Sequence, residues 1–211
     1  MNKNIVNNIK QMYEELVITP SDINEHLPIL KNYAKNCQHI TEMGVRSVVS
    51  TYALVSANPR KIICIDLHHP KEWDNIWKSY GRNNMPSGAN RIVDIENYCR
   101  DNNIYFSFVV GDTTHIQIEE TDLLFMDTLH SYTQLKTELS LHSHKVKKYI
   151  ILHDTESYKY TDEDSGRIGT NSKDKIGLLP ALEEFLESNS NWKIHEIFVN
   201  CNGLTVLKKD I

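Results

Sequence analysis

Apolar and polar positions change rhythm once along this chain. Over residues 3–18, Ile5, Ile9, Met12, Leu16 and Val17 recur at near-helical spacing, which predicts an amphipathic helix. Thr19-Pro20 ends it, because the residue before a proline is pushed out of the helical region. Ser21-Asp22-Ile23-Asn24-Glu25 opens with a capping residue and early acids, predicting a second helix to about residue 36. From residue 37 short apolar runs alternate with helical segments. Strands are predicted over 40–44, 61–67, 104–110, 122–126, 149–152, 192–199 and 203–208. Helices are predicted over 47–58, 89–102, 131–147 and 179–188.

Near-continuous apolar strands alternating with helices imply a parallel sheet covered on both faces. The link Asn200-Cys201-Asn202 is too short for a crossover, so the last two strands form an antiparallel hairpin. The expected fold is α/β, a Rossmann-like, seven-stranded, mostly parallel sheet with an antiparallel C-terminal hairpin. Residues 1–36 read as an N-terminal helical extension and residues 37–211 as the main domain. Two segments break the rhythm. Residues 70–88, with Trp73 and Trp77, read as a poorly periodic aromatic insertion whose tryptophans either wall the acceptor pocket or anchor the insertion to the core. Residues 155–178 are polar, follow a strand end directly, and read as a lid.

Composition narrows the class. The chain has 211 residues, with 23 Lys and Arg against 28 Asp and Glu, a net charge of −5. That suits one domain handling a small molecule and argues against nucleic-acid binding through a basic surface. No apolar run approaches the ~20 residues that span a bilayer, and residues 1–8 lack the apolar stretch of a secretory leader. Cys37, Cys64, Cys99 and Cys201 lie far apart with no C-x-x-C pair, so a reducing, cytoplasmic compartment is expected. His142 and His144 read as surface residues of a helix.

In open α/β sheets ligands bind beyond the carboxyl ends of the strands. Those ends carry Glu42, Gly44 and Ser47, then Asp66, then Asp112 and Thr113, then Asp127 and His130, then His153 and Asp154. Each end bears an acid. Singly, Asp66 or Asp112 could cap a helix. Glu42, just before a glycine turn, should be partly buried and need donors. The first loop has one glycine and lacks G-x-G-x-x-G, so a pyrophosphate cradle is unsupported. A nucleoside without phosphates, joined to an amino acid, fits better, and S-adenosylmethionine is such a molecule. Asp127 and Asp154 end neighbouring strands, where two carboxylates repel unless a cation or a proton lies between them.

Several blocks together resemble a known family. They are Glu42-Met43-Gly44-Val45-Arg46 with Ser50-Thr51, Ile65-Asp66, and Asp122 to Tyr132 (Asp-Leu-Leu-Phe-Met-Asp-Thr-Leu-His-Ser-Tyr). Ile151-Leu152-His153-Asp154-Thr155, Leu179 to Leu186, and Asn202-Gly203-Leu204-Thr205-Val206 complete them. The pattern resembles class I S-adenosylmethionine-dependent methyltransferases, and more narrowly the metal-dependent macrolide-sugar O-methyltransferases and cephalosporin hydroxylase-like proteins. The resemblance implies Glu42 and Gly44 against the methionine part of the cofactor, with Ser47 in the same loop. It implies Asp66 at the ribose, and Asp112 and Thr113 near the adenine. It implies a divalent cation, Mg²⁺ in the first instance, on Asp127 and Asp154, with His130 as general base. His153 stands where the family commonly has an acid; as a ligand it would shift the preference toward Mn²⁺ or Fe²⁺. The implied acceptor is a hydroxyl of a small molecule, a sugar or glycan being the family's example. Two other readings stand beside it, an oxidative hydroxylase-like enzyme and a non-catalytic module on the same fold. The apolar stripe of the N-terminal helices would suit either a cap on the sheet or a homo-oligomer contact.

Overall fold

The computed structural model describes residues 3–79, 81, 87–163 and 176–210. Its strands are β1 (His39–Met43), β2 (Lys61–Asp66), β3 (Tyr105–Val110), β4 (Thr121–Met126), β5 (Val146–His153), β6 (Trp192–Phe198) and β7 (Leu204–Lys209). They form one sheet in the order β3-β2-β1-β4-β5-β7-β6. The first five run parallel, while β7 pairs antiparallel with both β5 and β6. The hairpin therefore sits at one edge, with β6 outermost. Strand order reverses between β1 and β4, the place where open sheets of this kind leave a crevice.

The helices are α1 (Lys3–Ile18), α2 (Leu27–Ala34), α3 (Val49–Val55), α4 (Pro70–Ser79), α5 (Gly88–Asp101), α6 (Tyr132–His142) and α7 (Leu178–Ser188). Helices α1 and α2 share one core with α3 and α5. Ile9, Leu16, Leu27 and Leu30 pack with Val48, Tyr52, Ile92 and Ile95 over the face of the sheet bearing Ile40, Ile62 and Phe125. Helices α6 and α7 cover the other face, where Leu135, Leu139, Leu182 and Phe185 meet Met43, Leu124 and Ile150. Among the described residues no helix is long and apolar enough to cross a membrane.

Departures from the sequence expectations are local. The second helix opens with a 3-10 turn, Asn24–His26, before α2. Helix α3 starts at Val49 rather than 47, because Arg46 (φ 41°) and Val48 (φ 62°) are left-handed. Residues 70–79 are helical after all, with Trp73 and Trp77 one turn apart and their rings stacked at 5.4 Å. Helix α6 stops at His142; a 3-10 turn follows, and β5 begins at Val146 because that residue pairs with Thr121. His142 is fully buried rather than on the surface, its Nε2 2.7 Å from the Thr113 carbonyl. The expected lid lies partly outside the described residues. Residues 155–163 fold back over the sheet edge, where Glu163 N–H donates to the His130 carbonyl and Leu178 N–H to the Tyr158 carbonyl.

Candidate active site

A cleft of about 320 Å³ crosses the carboxyl ends of β2, β1 and β4. Gly44, Arg46, Asp66, Trp73, Trp77, Asp112, Thr113, Asp127, His130 and Glu163 line it. The volume falls within the range of small-molecule sites, roughly 300–1,000 Å³.

Gly44 closes the floor. Its φ is +81°, and a Cβ there would stand 1.9 Å from the Asp127 carbonyl oxygen. The glycine thus lets β1's loop lie directly against β4's end. Gly44 N–H donates to the Ile65 carbonyl and Asp127 N–H to that of Met43, so hydrogen bonds lock the three strand ends together.

Asp66 ties the first loop down. Its Oδ2 accepts from Val45 N–H (2.7 Å) and Arg46 N–H (2.9 Å); its Oδ1 accepts from His68 N–H (3.1 Å) and Trp73 Nε1–H (3.1 Å). Four donors fill the ~four acceptor positions of a carboxylate. Thr113 lines the cleft with its hydroxyl turned to Glu138, and Asp112 bonds to Thr114 N–H (2.9 Å) and its hydroxyl (2.6 Å).

Glu42 and Ser47 are not among the cleft-lining groups. Glu42 has no exposure, and its carboxylate accepts from Ser50, from Thr51 Oγ1 (2.7 Å) and from Cys64 Sγ (3.2 Å). Burial pushes its pKa up to about 7 against those three hydrogen bonds. The carbonyl of Ser47 accepts from Arg91 at 3.0 Å.

The chemistry concentrates at β4 and β5. Asp127, His153 and Asp154 are all buried, and one ligand-capable atom from each lies within 4.8 Å of the others. His153 Nδ1 is 3.3 Å from Asp127 Oδ1 and 3.2 Å from Asp154 Oδ1. Asp154 adopts the left-handed region at φ 59°, an arrangement seen where structure over-determines a site. His130 Nε2 faces Asp127 Oδ1 (3.2 Å) and Asp154 Oδ2 (3.3 Å), while Nδ1 faces Glu163 Oε2 (3.0 Å). The ring stacks on Tyr158 at 4.9 Å. Burial lowers the pKa of His130, but hydrogen bonds to Asp127 and Glu163 and the charge of Asp154 outweigh it, pushing the pKa up to about 10. Asp127, though buried, is held well below the usual carboxylate range by His153, His130 and Arg46. Burial instead raises Asp154.

Asp127, His153 and Asp154 have the donor chemistry of a divalent-cation site. Two carboxylates and one imidazole converge, and Asp154 Oδ1 is buried without a hydrogen bond of good geometry. Such donors suit Mg²⁺, Mn²⁺ or Fe²⁺. His130 stands just outside this group, its Nε2 3.2 Å from Asp127 Oδ1 and 3.3 Å from Asp154 Oδ2.

Several residues carry this geometry without having stood out in the sequence. Glu163 reaches His130 from a polar loop that offered no periodic signal. Glu138 is a buried carboxylate on α6 that accepts from Thr113, from Thr128 Oγ1 (2.8 Å) and from Gln134 Nε2 (2.7 Å). His26 lies fully buried beneath the site, its ring edge-on to His153 at 5.4 Å.

No family model and no curated protein matches the chain. Solved structures do. An O-methyltransferase from Bacillus cereus in complex with S-adenosylhomocysteine superposes with a TM-score of 0.57 at 11% identity, covering 98% of this chain and 90% of that one. TomG, an O-methyltransferase from Streptomyces achromogenes involved in tomaymycin synthesis and solved with S-adenosylmethionine, gives 0.57 at 13% identity over the same shares. A 1,6-didemethyltoxoflavin N1-methyltransferase from Burkholderia thailandensis gives 0.53 at 13%, over 90% and 79%. At such identities the likeness establishes the fold, which is that of the class I S-adenosylmethionine-dependent methyltransferases.

Proposed function

We propose that the chain is an S-adenosylmethionine-dependent, divalent-metal-assisted O-methyltransferase acting on a hydroxyl of a small molecule, with a sugar or glycan as the first acceptor class to test. One observation carries the reading. The Asp127-His153-Asp154 cluster and His130 meet at the β4 and β5 ends, beside a cleft that continues past Gly44 to Asp66, Trp73 and Trp77. The cofactor would lie along that cleft. Trp73, Trp77 and Leu67 offer an apolar wall for the nucleoside end, and the acid-rich end near Asp127 suits a sulfonium cation.

Asp127, His153 and Asp154 would hold the cation, which supplies Lewis-acid activation of the acceptor hydroxyl when bound. His130 Nε2 is the proton-accepting atom, because Glu163 occupies the Nδ1 side and fixes the ring's orientation. Tyr158 packs flat on the imidazole and holds its plane. Hydrogen bonds to Asp127 and Glu163 and the charge of Asp154 hold the pKa of His130 up, and a cation on Asp127 and Asp154 would offset their charge and bring it down. Orientation of the methyl donor against the acceptor oxygen then supplies much of the rate.

Calorimetric titration with S-adenosylhomocysteine, with and without Mg²⁺ or Mn²⁺, tests the reading. It predicts micromolar binding, followed by metal-dependent methyl transfer from labelled cofactor to members of a sugar and polyol panel. Absence of binding under every metal condition would contradict it, and turnover of 2-oxoglutarate with Fe²⁺ would favour the oxidative alternative instead.

A further inference from the structure

The first loop, Gly44 to Val48, has an unusual donor inventory. A ligand carboxylate beside such a loop is ordinarily met by backbone N–H groups, as at other anion-binding turns. Among the described residues four of the loop's five N–H groups are spent, all but that of Ser47, a residue that does not line the cleft. Gly44 N–H donates to Ile65, Val45 and Arg46 N–H both go to Asp66 Oδ2, and Val48 N–H goes to Val45. What the loop offers the cleft is the Arg46 side chain. Its backbone sits at φ 41°, a conformation L residues rarely adopt, pinned there by Asp66. Its guanidinium lines the cleft and makes only loose ion pairs, 3.6 Å to Asp22 and 3.9 Å to Asp127, with no side-chain hydrogen bond among the described residues. Arginine carries five donors in a planar fork matched to a carboxylate.

The surrounding charge sharpens the point. Asp66, Asp112, Asp127 and Glu163 line the same cleft, with Arg46 and the buried His130 as its basic lining residues. A molecule carrying both a sulfonium and an amino-acid zwitterion finds acids for its two cations. Its carboxylate would be repelled by the acids, and of the two basic lining groups His130 already faces Asp127, Asp154 and Glu163 while Arg46 makes only the loose pairs above.

We infer that Arg46 binds the α-carboxylate of the cofactor's amino-acid part through its guanidinium, replacing the backbone amides that this loop has committed to Asp66. The inference rests on the S-adenosylmethionine reading above. It makes Arg46 a cofactor-binding residue and Asp66 the residue that positions it.

The experiment is calorimetry with three ligands on three proteins. The ligands are S-adenosylhomocysteine, its analogue with the carboxylate converted to a carboxamide, and 5′-methylthioadenosine, which lacks the amino-acid part. The proteins are wild type, Arg46→Gln and Arg46→Lys. Wild type should prefer the carboxylate over the carboxamide by roughly 10- to 100-fold, the value of a hydrogen bond to a charged group. Arg46→Gln should erase that preference and leave 5′-methylthioadenosine affinity within about twofold, since that ligand lacks the carboxylate that the guanidinium would bind. That unchanged affinity also reports that the variant is folded. Arg46→Lys should restore part of the preference, because it keeps the charge and loses the fork. Equal wild-type affinity for carboxylate and carboxamide would overturn the inference while leaving the methyltransferase reading intact. So would an Arg46→Gln loss that falls equally on 5′-methylthioadenosine. Failure of wild type to bind any of the three would overturn both.

Discussion

Two acids on adjacent strands, Glu42 of β1 and Asp127 at the end of β4, meet opposite fates. Glu42 is sealed beneath α3, carries three hydrogen bonds from Ser50, Thr51 and Cys64, and is pushed toward neutrality by burial. Asp127 is also buried, yet two imidazoles and a guanidinium surround it and keep it ionised. The difference is one of direction. Successive strand residues point to opposite faces, and Glu42 is the penultimate residue of β1, aimed into the α3 layer. Asp127 lies one residue past β4, where the chain leaves the sheet and its side chain meets the crevice. An acid at the same sheet edge is sealed into the scaffold in one case and lines the cleft in the other.

The largest expected effect comes from the glycine that joins the two regions. Gly44→Ala places a Cβ 1.9 Å from the Asp127 carbonyl at a positive φ. Denaturant unfolding should show a loss of about 3 kcal/mol or more, with cofactor binding abolished. Next is the open side itself. His130→Ala should lower kcat by roughly 10²- to 10⁴-fold once an acceptor is in hand, while S-adenosylhomocysteine affinity holds within a few-fold. A parallel fall in affinity would move His130 from proton transfer to binding.

The sealed side is probed by pH. The pKa of Glu42 lies near 7 in the folded protein and near 4.5 unfolded, so the folded state binds the proton more tightly. The stability this contributes is present below about pH 4.5 and is lost as pH rises through 7. Glu42→Gln removes that dependence. Between pH 4.5 and 8 the wild type should lose about 3 kcal/mol relative to the variant, measured by urea unfolding at both ends. A constant gap would mean that Glu42 is ionised throughout. The smallest effect is expected at Glu138, whose pKa is raised to about 6 by burial. Glu138→Gln keeps the shape and weakens the bonds to Thr113 and Thr128, costing about 1 kcal/mol in the same assay.

The sheet was legible because its strands are apolar runs separated by helical periods, and runs such as Lys61–Asp66 allow little else. Parity and loop conformation were not. Glu42 at a strand end suggested a ligand contact, but which face it takes depends on a register fixed by pairing with β2 and β4. Asp127, His153 and Asp154 were identifiable as a group because neighbouring parallel strands bring their ends together whatever the loops do. Arg46 was visible only as part of a block; its role depends on a left-handed backbone and on amides already committed to Asp66. Glu138 and His142 lie on a helix that buries polar side chains, so an amphipathic reading sends them to the surface. Glu163 comes from a loop with no pattern to read.

We propose that the open cluster of Asp127, His153 and Asp154, and not the sealed carboxylate of Glu42, holds a divalent cation. Mn²⁺ binding followed by electron paramagnetic resonance on wild type, Asp127→Asn and Glu42→Gln tests it directly. Wild type and Glu42→Gln should each bind a single tight Mn²⁺, and Asp127→Asn should not. Retention of Mn²⁺ by Asp127→Asn, or its loss from a folded Glu42→Gln, would contradict it.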